Sequence, residues 1–195
     1  GGLARWWALG SVHLQPSVLL LPALLVGTAG QRGPGWALGW VSCALAQAFQ
    51  RDPVGLLMLC TALGLRAMPL RPGQGLEAAV ALLCLALLPS LLDGPALPRA
   101  VLGGDALWAN ARMLCPGGPL LMAVAVLALL LPGLARVSSA EQAAARGQFA
   151  AVWLAGVMGG LVLAEPLPLL SFGSSALLGY CLSLRALVLS GEAGR

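Results

Sequence analysis

Read for polarity alone, the chain is a series of long apolar runs cut by short clusters of Pro, Gly and Arg. Seven runs stand out, at about residues 16–30, 34–50, 53–70, 76–92, 113–135, 148–164 and 167–190. Each is apolar on nearly every side, the pattern of a helix with no aqueous face. None alternates apolar and polar positions with period two, which argues against a β-barrel. Several fall below the roughly 20 residues that cross a bilayer squarely, so the boundaries are soft and a thinned or distorted membrane contact would accommodate them. The expected fold is all-α: a polytopic transmembrane helix bundle of about seven spans, forming one integral membrane domain over residues 1–195.

Composition names the solvent. The chain is 59% hydrophobic and 9% charged, against roughly 25% charged in an ordinary soluble domain. So much Leu, Ala and Val exceeds what a soluble interior hides, and lipid is the expected surround. The chain starts at Gly1 without Met, and no signal-peptide pattern precedes the first apolar run; it is expected to be the later part of a longer chain. Cys43, Cys60, Cys84 and Cys181 fall inside apolar runs without metal-ligand spacing, and His13 has no partner Cys or His nearby. Buried thiols of this kind behave as small apolar residues, so neither a metal site nor a disulfide framework is expected. No nucleic-acid partner is expected either.

The charges suggest an orientation. All 11 positive residues are Arg. If the first run crosses from outside to inside, Arg32, Arg66, Arg71, Arg136, Arg146, Arg185 and Arg195 fall in inner loops and tail, and Arg5, Arg51, Arg99 and Arg112 fall outside. That excess follows the positive-inside bias. Asp52, Asp93, Asp105 and Glu165 then lie outside, and Glu77, Glu141 and Glu192 inside. The outer face therefore carries carboxylates and guanidiniums together at the mouths of helices.

Two polar islands frame the apolar runs. The first is Arg5–Trp6–Trp7–Ala8–Leu9–Gly10, followed by Gln15–Pro16–Ser17 at the start of the first run. Trp at a membrane edge is commonly an interface anchor, and Pro opening a helix is ordinary first-turn chemistry. The second is residues 166–178, PLPLLSFGSSALL, where Pro166 and Pro168 hold the chain extended before the small run Ser171–Phe172–Gly173–Ser174–Ser175. Small residues in an apolar helix let a second helix come close, and their hydroxyls bond across the contact.

These islands carry a resemblance. RWWALGSVHLQPSVLLLPALL is similar to the RRW-x-x-LG…QPSELAK segment of the SEDS family (FtsW, RodA and SpoVE) of bacterial division, elongation and sporulation. Gln50–Arg51–Asp52–Pro53–Val54–Gly55 resembles that family's QPDLG turn, and PLPLLSFGSSALL resembles its PLP-hydrophobic-SYGGSSL signature. The matches come in the family's order, and seven helices correspond to the last seven of its ten. In this chain the family's Glu after Gln-Pro-Ser is Val18, its following Lys is Leu21, its QPDLG reads QRDPVG, and its Tyr is Phe172. The first three helices have no counterpart. The family's long outer loop, ending in PE-x-HTDFIFA, is reduced to residues 93–112, where Gly104–Asp105–Ala106–Leu107–Trp108–Ala109 is the best counterpart of TDFIFA.

The resemblance implies a membrane glycosyltransferase that polymerises lipid II at the outer face of the bacterial cytoplasmic membrane, acting with a class B penicillin-binding transpeptidase. Asp105 is then the candidate general base, with Asp52 a weaker second. Arg5, Arg51, Arg99 and Arg112 are candidate contacts to the lipid pyrophosphate, with a divalent cation (Mg²⁺ or Mn²⁺) an accompanying possibility. Trp6, Gln15, Pro16, Ser17, Pro166, Pro168, Ser171, Gly173 and Ser175 are expected to shape the helix core. Plainer readings stand beside these: a helix cap for Asp105, a turn residue for Asp52, headgroup anchoring for the Arg residues. Two other functions are also compatible: a non-catalytic relative that contributes helix contacts to a cell-wall complex, and a small permease.

Overall fold

A computed structural model describes residues 7–9, 12–31, 34–68, 75–92, 112–113, 116–135, 137, 139–162 and 174–192. A short antiparallel hairpin, β1 (Trp7–Leu9) and β2 (Val12–Leu14), pairs Ala8 with His13. Seven helices follow among the described residues: α1 (Pro16–Gly27), α2 (Pro34–Phe49), α3 (Pro53–Ala67), α4 (Gly75–Leu92), α5 (Gly118–Leu134), α6 (Ala140–Val162) and α7 (Ser174–Glu192). The chain is therefore helical, as its apolar runs predict, with the hairpin as an addition that the runs do not announce.

Helix starts follow local chemistry. Pro16 and Pro53 occupy first-turn positions, where a missing N–H costs nothing. The sixth apolar run, expected to begin near 148, is a helix from Ala140. Ser139 accepts from the Gln142 N–H at 3.1 Å, half of a capping box, and the Ala-rich polar turn behind it is strongly helix-forming. The last run, expected from 167, is described as helix from Ser174.

Specific contacts fix the direction of each helix. Gln15 at the start of α1 meets the N-terminal ends of α3 and α7, through Asp52 and Ser175. Thr28, just past the end of α1, meets Arg66 near the end of α3. Helices α1, α3 and α7 thus run the same way. Arg66 pairs with Glu77 at the start of α4, so α4 returns antiparallel. Gln148 of α6 donates to the Ala62 carbonyl at 3.0 Å, and Gly159 packs on Leu57 and Val54, so α6 is antiparallel to α3 as well. Helix α2, with Trp40 beside Arg66 and Gln47 beside Asp52, also runs opposite to α3. Successive helices up to α4 therefore alternate, and α5 ends where α6 begins.

The core lies where these helices cross. Leu25, Leu56, Met58, Leu59, Leu63, Phe149, Val152 and Trp153 are fully enclosed. Tyr180 stands edge-on to Phe149 and Trp153, at 5.5 and 5.4 Å between centroids, and donates to the Leu129 carbonyl at 2.7 Å. Trp153 Nε1 donates to Ser183 Oγ at 2.9 Å.

Among the described residues the most extensive helix–helix contact is between α1 and α7. Pro22 lies inside α1 and has no N–H for the Val18 carbonyl four residues back. The bare Cα of Gly179 stands against that same carbonyl, so close that any Cβ there would overlap it. A Cα–H to carbonyl contact of this kind is what a small residue at a helix crossing permits. Ser175, Gly179 and Ser183, spaced four apart, are all buried.

The surface is unusual. Leu38 is 70% exposed, Phe49 86%, Leu120 69%, Leu177 65% and Val188 60%, and every helix carries large exposed apolar side chains. Among the described residues only α6 is both long and apolar enough to cross a membrane; five shorter apolar stretches of 10–17 residues accompany it.

Candidate functional site

Polar groups at the N-terminal ends of α1, α3 and α7 meet around one carboxylate, Asp52, with Ser175 of α7 joined to it through Gln15. Asp52 has no exposed surface. Its Oδ1 accepts from the Gly55 N–H at 3.0 Å, the ordinary cap of a helix start. Its Oδ2 accepts from Gln15 Nε2 at 3.0 Å and from the Ser17 hydroxyl. The Gln15 backbone N–H in turn donates to Ser175 Oγ at 2.8 Å. Residues 15, 17, 52 and 175 thus form one hydrogen-bonded cluster, drawn from the beginning, middle and end of the sequence.

The turn that delivers Asp52 is tight. Asp52 N–H donates to the Gln47 carbonyl at 3.0 Å, and Arg51 N–H to the Ala48 carbonyl at 3.1 Å. This six-to-one and five-to-two pair is a Schellman motif closing α2. Its left-handed position is occupied by Arg51, at φ 50°, where glycine is usual because a Cβ is strained there. Asp52 is therefore the last residue of one cap and the first of the next: its N–H ends α2 and its carboxylate starts α3. Gly55 is required beside it, since a Cβ there would stand 2.6 Å from Gln47 Oε1 and 2.9 Å from Asp52 Oδ2.

Enclosure gives Asp52 a definite role. A buried carboxylate held by several donors is oriented and rigid, and with no exposed surface it offers nothing for a sugar hydroxyl to reach. It is a positioning residue that ties three segments together. Arg51 is exposed beside it, at the same end of the molecule. Arg112 is exposed also. Pro16 opens α1 as a first-turn residue. Asp105, Arg5, Arg99, Trp6, Pro166, Pro168, Ser171 and Gly173 lie outside the described residues.

The opposite end holds a second polar cluster. Arg66 pairs with Glu77 at 2.8 Å, donates to the Thr28 carbonyl at 2.8 Å and to the Gln31 carbonyl, and lies 5.8 Å from the Trp40 ring. Both charged side chains are nearly enclosed, at 6% and 11% exposure. Counting Arg66 among the charges of the inner loops is therefore corrected: it sits within α3, in a buried pair with Glu77 of α4. Arg66 neutralises the carbonyls past the end of α1 as well as Glu77, which is why so polar a side chain is drawn inward. Nothing in the spacing of Arg66 and Glu77 announces it.

Among the described residues no three His, Cys, Asp or Glu side chains gather to hold a metal ion. The described residues therefore offer no carboxylate cage for Mg²⁺ or Mn²⁺, and no step is assigned to such an ion. Comparison with protein-family models, with curated proteins and with solved structures found no match.

Proposed function

We propose that the chain is a polytopic membrane protein of the SEDS kind that polymerises lipid II at the outer face of the bacterial cytoplasmic membrane, in partnership with a class B penicillin-binding transpeptidase. The observation that carries this reading is the meeting of Gln15, Ser17, Asp52 and Ser175 at one end of the bundle. The four come from all three of the segments on which the family resemblance rests, Gln15 and Ser17 from the first, and chance matches in sequence have no reason to become neighbours in space. A membrane setting is supported by apolar side chains exposed on every helix, a surface that water would not tolerate at this extent. The alternation of helix direction supports it too.

In this reading a sugar 4-hydroxyl attacks the anomeric carbon of a lipid-linked sugar, a carboxylate takes its proton, and undecaprenyl pyrophosphate leaves. Asp105 is the base. Arg5, Arg51, Arg99 and Arg112 are the cations assigned to the departing pyrophosphate, whose oxygens guanidinium forks match. Asp52 holds the helix ends in place and does not touch the reacting atoms.

One observation favours a second reading, a non-catalytic relative acting as a structural partner in a cell-wall complex. The acid that the structure describes at this end, Asp52, is enclosed and committed to packing. Lipid II polymerisation separates the two readings. The purified chain with its transpeptidase partner should give glycan strands on a gel, and Asp105→Ala should give none. Equal product from both would remove Asp105 from the reaction, and no product from either would leave the structural reading.

A further inference from the structure

Two free thiols meet where α3 packs on α4. Cys60 of α3 is half-buried, and Cys84 of α4 has no exposed surface. The Cys60 thiol donates to the Ala81 carbonyl at 3.6 Å, a hydrogen bond onto the backbone of the neighbouring helix. Cys84 follows Ala81 on α4 by about 4.5 Å along the axis, at 1.5 Å per residue. The register of the two antiparallel helices agrees. Arg66 meets Glu77, and the steps from Arg66 back to Cys60 and from Glu77 on to Cys84 are about 9 and 10.5 Å. Both cysteines therefore stand at nearly one level. They are also close enough for a charge on one sulfur to act on the other. Their spacing in sequence carries no disulfide pattern; helix packing makes the pair.

Burial decides which chemistry such a pair can support. A metal thiolate would leave charge in an apolar interior, at heavy cost, whereas a disulfide is neutral and apolar. The two thiols also differ in access. Cys60 lies at the edge of the core, and Cys84 is enclosed behind it. An accessible thiol backed by a second one is the arrangement in which a sulfenic acid is resolved to a disulfide. We propose that Cys60 and Cys84 reduce a lipid-soluble organic hydroperoxide and close as a disulfide between α3 and α4. The Cys60 sulfur attacks the terminal peroxide oxygen, so that an S–O bond forms and the O–O bond breaks. The thiol proton leaves with the alkoxide as an alcohol, and Cys60 becomes a sulfenic acid. The Cys84 sulfur then attacks the Cys60 sulfur; an S–S bond forms, the S–O bond breaks, and the Cys84 proton leaves with hydroxide as water. Two electrons pass from the thiols to the peroxide. A neutral thiol reacts slowly, so the pair is a lock set by sustained oxidation and reopened by a reducing thiol. It is independent of any polymerase activity.

The test uses the full chain in nanodiscs, treated with cumene hydroperoxide as the probe. The unaltered chain should lose two hydrogen atoms by intact mass. Proteolysis without reduction should then give a peptide that links Cys60 to Cys84, and a phosphine reductant should abolish it. Tm should rise by several degrees in the oxidised chain, because the cross-link constrains the unfolded state. Cys84→Ala should stop at a Cys60 sulfenic acid, which dimedone labels. Oxidation of Cys60 to sulfinic acid in the unaltered chain without a link overturns the proposal. A link from either cysteine to a different one overturns it too, as does an unchanged mass after prolonged treatment. These three outcomes are read on the unaltered chain and do not depend on any variant folding.

Discussion

Gly179 stands directly against the carbonyl of Val18, the carbonyl that Pro22 leaves without its helical N–H. Two features that each weaken a helix, a proline inside α1 and a glycine inside α7, thus meet and compensate each other where the two helices cross. Gly179→Ala should therefore separate α1 from α7 and cost about 2–4 kcal/mol, in the range of overpacking against a backbone that cannot yield. Gly39, with open space where its Cβ would be, is the matched control. Gly39→Ala should be neutral or stabilise by about 0.5–1 kcal/mol, as alanine does in a helix. Unfolding of the two variants side by side in detergent reads the difference.

Asp52 caps α3 and also accepts from the Gln15 amide and the Ser17 hydroxyl. Asp52→Ala should cost about 3 kcal/mol or more, combining the loss of a cap with donors left unpaired in the interior. Asp52→Asn keeps an acceptor oxygen and should cost less. Ser17→Ala, removing one donor only, should cost about 1 kcal/mol. Equilibrium unfolding ranks the three; equal losses for Asp52→Ala and Ser17→Ala would mean that the carboxylate does not organise the cluster.

Arg51 sits at φ 50° in the glycine position of a Schellman cap. Arg51→Gly should raise stability by about 1 kcal/mol by removing the strain. If the exposed guanidinium serves the pyrophosphate, the same change should lower polymerisation, so stability and activity move in opposite directions. Paired measurements of Tm and glycan yield check this.

The Arg66–Glu77 pair is buried at the other end. Arg66→Met should cost about 3–5 kcal/mol, because it leaves a buried carboxylate without its main partner. Adding Glu77→Met should return much of that loss, since a well-packed apolar pair often matches a buried ion pair. A double-mutant cycle gives the coupling directly.

The sequence made the helices readable, and the convergence of residues only in part. Pro16, Pro53 and the Pro–Gly breaks mark helix starts because proline suits a first turn, so α1 and α3 begin where expected. The start of α6 was hidden because hydropathy notices only apolar side chains, whereas Ser139 and Gln142 build the helix end through backbone hydrogen bonds. Which faces pack could not be read at all: a helix apolar on every side has no stripe to point at its neighbour. The small-residue run that ends at Ser175 hinted at a close crossing. That the partner would be the carbonyl released by Pro22 is a matter of backbone geometry, which side-chain patterns do not carry. Arg66 reads as a loop charge for the same reason, since its carbonyl partners at Thr28 and Gln31 are invisible in residue types.

The segment that opens α1 meets the start of α7 at Gln15 and Ser175, and the proposed function puts that meeting on the outer side of a membrane. A double variant, Gln15→Cys with Ser175→Cys, tests it when the native cysteines are replaced by Ala and the chain is expressed in cells. The 2.8 Å separation of the Gln15 N–H and Ser175 Oγ puts the two backbones within ordinary disulfide reach. The account predicts an intramolecular cross-link, detected by mass spectrometry after proteolysis, that is prevented by a membrane-impermeant thiol reagent added outside the cells before oxidation. A pair that never cross-links, or one that only a membrane-permeant reagent protects, would contradict it.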